Sequence, residues 1–103
     1  MLILTINSVP GRDIEALGIV KGSTIQSKHI GKDKGSGFKT IIGGELKAYT
    51  QMMDEARQIA TDRMIGEAEA LGADAIIGVR FSTSAIMQGA AEMLAFGTAV
   101  RYR

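Results

Sequence analysis

The side chains with chemistry to offer gather in one stretch, residues 27–44, which reads SKHIGKDKGSGFKTIIGG. It holds the only histidine, His29, and four lysines, Lys28, Lys32, Lys34 and Lys39, against a single acid, Asp33. One chemistry this suggests is anion binding, with Lys32, Lys34 and Lys39 as counter-charges and glycine amides approaching the ligand. The spacing is not that of a phosphate loop. Ser36 stands where the second glycine of GxxxxGK is required, and Phe38 separates Gly37 from Lys39. The run that begins Gly35-Ser36-Gly37 has Thr40 in place of the third glycine of GxGxxG. A second chemistry is divalent-metal binding at His29. Asp33 is the one acid near it in sequence, and a transition-metal site needs more donors than two. Carboxylates from neighbouring subunits would have to complete it. The third reading, which the residue types favour, is a solvated, glycine-rich connection of a length that is either functional or mobile.

Catalysis finds no foothold elsewhere, because no nucleophile stands beside a base with an orienting partner. The acids Asp54, Glu55, Asp62, Glu67 and Glu69 are strung along one stretch as a wet face, where Asp54 with Arg57 and Arg63 with Glu67 are spaced as weak helix-surface pairs. Met52, Met53 and Met64 recur at helical spacing and read as core filler rather than soft-metal ligands. The absence of cysteine excludes disulfides and thiolate chemistry. A net charge of +1, with Phe38 the lone aromatic beside the lysines, argues against nucleic acid. No run approaches ~18 apolar residues, and the opening MLILTINSVPGRD has no basic leader. These features predict a non-enzymatic cytoplasmic protein with no evident cofactor, divalent metal being the one candidate.

The elements that must position this stretch follow from hydrophobic period. Residues 45–71 form a predicted helix, with Leu46, Tyr49, Met53, Ala56, Ala60, Met64, Ala68 and Leu71 on one face at three- and four-residue steps. Met52 and Ile59 widen that face. Gly72 supplies the left-handed stop. Before the helix, residues 2–6 read as a strand ended by Pro10-Gly11, and residues 14–26 as a second strand antiparallel to it, bulged or bent at Gly18 and Gly22. After the helix, residues 73–83 are the clearest strand, with Ile77, Val79 and Phe81 predicted under the helix and Ile76, Gly78 and Arg80 opposite. Residues 84–91 connect it to a last strand, 92–102, whose two faces are Met93, Ala95, Gly97, Ala99 and Leu94, Phe96, Thr98, Val100. Both are apolar or small. One helix covers one face of a sheet, so the other needs a cover, and identical copies are the simplest.

Several blocks, taken together and in order, resemble the YbjQ-like family of small bacterial and archaeal proteins that carries a heavy-metal-binding label. They are Asn7-Ser8-Val9 with Gly11, Gly18-Ile19-Val20-Lys21-Gly22, Gly43-Gly44 with Tyr49, the run from Leu71 to Val79, and Gly97-Thr98-Ala99-Val100. The likeness runs along nearly the whole chain, residues 1–103, as one domain. It implies an α+β, dodecin-like ββαββ subunit, one long helix on a small antiparallel sheet, assembled into a ring of five or a multiple of five. Relatives carry a more apolar, often short-helical segment where this chain has His29 to Phe38, and often an acid at the position of Ser82. No metal ligand carries over by position.

Overall fold

The structure, a computed structural model, describes residues 1–27 and 46–103. The element order is β1 (Leu2–Ile3), β2 (Ile14–Ser27), α1 (Leu46–Ala70), β3 (Ala75–Met87) and β4 (Ala90–Tyr102). The four strands form one sheet in the order β1-β3-β4-β2. β3 and β4 are a long hairpin turned at Gln88-Gly89, and β2 lies antiparallel on the far side of β4. The connection predicted over 84–91 is therefore mostly strand. β1 is not the antiparallel neighbour of β2: it pairs in parallel with β3, Leu2 opposite Ala75 and Ile3 opposite Ile76. Leu4 then donates its N–H to the Ile76 carbonyl, and Val79 to that of Leu4, so the opening segment continues along β3 past β1 itself.

The helix stops as its sequence dictates. Gly72 has φ +76°, its N–H reaches the Glu69 carbonyl at 3.0 Å, and the Ala73 N–H reaches that of Ala68 at 3.1 Å, satisfying carbonyls a helix end leaves open. Met52, Ala56, Ala60, Met64 and Ala68 are its buried positions. They are strictly four apart, a single row of the kind inclined about 26° to a helix axis. Leu71, predicted on this face, is exposed because the chain has already turned at Gly72. Three of the five row members are alanine, so the helix backbone comes down onto the sheet. It meets Gly22 directly: a Cβ there would overlap the Ala60 carbonyl oxygen and the Met64 nitrogen, and lie 2.7 Å from the Arg63 Cβ. Gly22 is thus a contact point and not a bend, since Gly22 pairs regularly with Ala95, whereas the register shift in β2 falls between Ala16 and Gly18.

Under the helix, Val20 on β2, Met93, Ala95 and Ala99 on β4, and Ile76 and Val79 on β3 complete one core. Ile76 and Val79 sharing a face breaks the alternation expected of a strand. The reason is Gly78, at φ +61°, in the register shift between Ile77 and Arg80. The extra residue reverses the pleat. Ile77, predicted under the helix, lies instead on the other face with Val9, Ala75 and Val100, and Phe81 is exposed. This second cluster, with Leu4, Ile14 and Tyr102 packed against it, shows that the chain covers one end of its own spare sheet face.

Candidate functional site

His29, Lys32, Lys34 and Lys39, the residues singled out for metal or anion binding, lie outside the described residues, as does Asp33. Among the described residues no group of three or more His, Asp or Glu side chains could hold a metal ion. The donor set of one chain, so far as it is described, does not fit a heavy metal. Asp74, an acid near the second cluster, already accepts the Tyr102 N–H at 2.8 Å. Asp54 and Asp62 on the helix have partners of their own. Asp54 pairs with Arg57 at 2.7 Å, as spaced, and Gln58 donates to Asp62 at 2.9 Å.

Arg63 and Glu67, expected to pair with each other, reach the sheet instead. The Arg63 guanidinium donates to the Ser23 carbonyl at 2.7 Å, and the Glu67 carboxylate accepts the Lys21 N–H at 3.0 Å. These are backbone groups on the outer edge of β2. Two charged side chains from the helix therefore occupy the places a further strand would take, a device that guards an edge strand against pairing. Helix periodicity cannot reveal it, because the two side chains are as well spaced for each other as for the strand 40 or more residues away.

Among the described residues the other edge is not guarded in this way. Every residue from Arg80 to Gln88 is exposed although Ala75–Met87 is one continuous strand. Large apolar side chains stand in water there, with Phe81 48%, Ile86 47% and Met87 67% exposed. The helix lies over β2 and β4 and leaves this flank of the sheet open. On the face away from the helix, register sets Phe96 between Lys21 and Arg80, Leu94 between Ser23 and Ser82, and Glu92 between Ile25 and Ser84. Ile19 and Ile25 are 79% and 63% exposed on the β2 side of that face. The spare face is thus a mixture of apolar and polar rows, and its bare part begins where the Val9 cluster ends. Arg80 is turned inward along its own edge, donating to the carbonyls of Thr5 and Val79, both at 2.9 Å.

The chain is elongated, 60 × 22 × 17 Å with a radius of gyration of 17.5 Å, against about 13 Å for a compact chain of this length. No helix is long and apolar enough to cross a membrane among the described residues. What the described residues offer is a β3 edge that no described strand continues past Val79, exposed apolar side chains beside it, and no assembled donor set.

Comparison with known proteins agrees with the fold. The family model YbjQ_1, described as "Putative heavy-metal-binding", matches residues 1–103. A UPF0145 protein of Clostridium novyi (strain NT) is 59% identical over 101 residues, covering 98% of each chain. One from Thermus thermophilus is 55% identical over 102 residues, covering 98% of this chain and 90% of that one. A crystal structure of a protein of unknown function from Pediococcus pentosaceus ATCC 25745, a member of the DUF74 family, superposes with a TM-score of 0.67 at 19% identity, over 100% of this chain and 98% of that one.

Proposed function

We propose, from the premise that this chain belongs to the YbjQ family described as "Putative heavy-metal-binding", that it is a non-enzymatic, cytoplasmic, homo-oligomeric binding or scaffold protein, a ring of five identical subunits or a multiple of five, with any ligand held where subunits meet. The observation that carries the reading is the exposed run Arg80–Met87 in β3. A strand that no described residue covers on its outer edge, with Phe81, Ile86 and Met87 exposed, is an aggregation hazard in a solitary protein and an interface in an assembled one. The elongated shape supports the same reading, since a subunit this extended exposes more surface than a compact one of equal length. The ring size comes from the family likeness. Ligand sites between subunits suit so small a domain. Native mass spectrometry of the purified protein tests this. A single species of five or ten subunits is expected, and a monomer at micromolar concentration overturns the reading.

The second reading, metal binding by His29 with carboxylates from adjacent subunits, is favoured by the family's description and by the exposure of acids such as Glu55 and Glu69. Titration of wild type and His29→Ala with Ni²⁺, Cu²⁺ and Zn²⁺ decides it. Equal weak binding by both removes it.

A further inference from the structure

Past β1, three consecutive carbonyls of the opening segment are each met by a donor from three consecutive residues of β3. The Gly78 N–H reaches the Ile6 carbonyl at 2.8 Å, and the Val79 N–H reaches that of Leu4 at 2.9 Å. The Thr5 carbonyl between them accepts from the Arg80 guanidinium, whose Nη1 also donates to the Val79 carbonyl, each at 2.9 Å. Two successive backbone amides serve one edge because of the bulge. In a regular strand they would point to opposite edges, and Gly78, at φ +61°, turns both outward. A Cβ at Gly78 would lie 3.2 Å from the Asn7 Oδ1, so the segment passes close over the glycine. The bulge that reverses the pleat of β3 thus also builds a socket for residues 4–7, and Arg80 bridges segment and strand. The rest of the segment is loosely held. Of residues 1–8 only Ile3 and Leu4 are partly buried and the other six are exposed, Leu2 at 44% and Ile6 at 50% among them. The larger core is closed by α1, β2, β3 and β4, with Ile3 packed only against its margin. Val9 is the first buried residue. The turn after it, where the Arg12 N–H reaches the Val9 carbonyl at 3.1 Å and Gly11 has φ +77°, fixes the chain from there on.

We propose that residues 1–8 are a releasable strap, hinged before Val9 and latched at Gly78–Arg80, which comes off β3 while the rest of the chain stays folded. Segments with few buried contacts and exposed hydrogen bonds open at a fraction of the free energy of global unfolding, and this one has two partly buried side chains in eight residues. Release frees the N–H groups of Gly78 and Val79 and the Ile76 carbonyl that accepts from Leu4, and it strips Leu4 from the Val9 cluster. A stretch of strand edge with an apolar margin, closed at rest, then becomes available for pairing. The latch reads backbone carbonyls and one charge-assisted bond, so Arg80 is the one side chain of β3 on which it depends. The strap goes beyond the oligomer reading and does not rest on it, since every contact it uses lies within one chain.

Native-state amide hydrogen exchange of the full chain, followed by NMR, tests this. In the wild type the amides of Leu4, Gly78 and Val79, corrected for their intrinsic rates, are expected to exchange at least about tenfold faster than the slowest amides of the β3–β4 ladder. Arg80→Met removes the charged donor and keeps an apolar stem. It is expected to speed those three amides about tenfold further, with the ladder amides and the circular dichroism spectrum as in wild type. Equal protection of strap and ladder in the wild type means that the segment opens only when the whole chain unfolds, and it overturns the proposal. A folded Arg80→Met variant that leaves the three amides at their wild-type rates, or that speeds the ladder equally, overturns the latch. If Arg80→Met does not fold, the wild-type comparison decides by itself.

Discussion

Replacing Gly22 by alanine adds one methyl group and is expected to be among the most damaging single changes this chain can suffer. The added Cβ would overlap the backbone of Ala60 and Met64 and lie 2.7 Å from the Arg63 Cβ. Backbone atoms of a helix cannot step aside as a side-chain tip can. The whole helix must lift from β2 by about 1 Å, and a gap of that size forfeits a quarter to a half of the dispersion well of each contact it opens. The contacts at risk are those of Val20, Ala56, Ala60, Met64 and Ala68, all within 1% of full burial. Overpacking a core costs about 1–3 kcal/mol, and a clash against backbone belongs at the top of that range, about 3 kcal/mol. For a domain of this size the melting temperature should fall by about 12–24 °C. The assay is thermal and urea denaturation followed by circular dichroism, at one fixed protein concentration because assembly shifts apparent stability. Gly66→Ala is the matched control: the same methyl group, on the helix itself, with nothing within 4 Å of it. It should stabilise by about 0.5–1 kcal/mol, the helix-propensity difference. If Gly22→Ala melts within about 4 °C of wild type, the close approach of helix to sheet is wrong.

Gly97→Ala should cost about 1–3 kcal/mol, because its Cβ would lie 2.8 Å from Ile76 Cγ2 and 2.9 Å from the Ile77 carbonyl oxygen; urea midpoints measure it. Gly78→Ala should cost about 1–2 kcal/mol from the left-handed backbone alone, and near-neutral urea unfolding would contradict the bulge that turns Ile77 away from the helix. Substituting both Arg63 and Glu67 by alanine should expose the Ser23 carbonyl and Lys21 N–H, and time-resolved light scattering is expected to show growth beyond the native mass. Lys32→Ala with Lys34→Ala should leave assembly mass unchanged in native mass spectrometry if the stretch 27–44 only solvates, and loss of a co-purifying anion would speak for ligand binding there.

Much of the molecule was legible in the chain itself, wherever the signal is local. The helix, its Gly72 stop, the burial of Ala56, Ala60, Met64 and Ala68 on its inner face, and the buried Met93, Ala95 and Ala99 face of β4 all follow from periodicities of 3.6 and 2 that a residue imposes on its near neighbours. What joins distant parts was not. Parity counted along β3 put Ile77 under the helix, and one inserted residue at Gly78 moved it to the opposite face, because a period of two has no tolerance for a slip. The hydrophobic character of Leu2 and Ile3 predicted a strand but carried no information on which strand it would join or in which direction. Arg63 and Glu67 are spaced to satisfy each other on a helix, and only the placement of that helix over β2 gave each a backbone partner. The side-chain types thus determined the elements and the inner faces of the helix and of β4. The packing of one element on another decided that Arg63 and Glu67 meet the outer edge of β2 and that the opening segment joins β3, since pairing across the chain depends on three-dimensional proximity that no local spacing encodes.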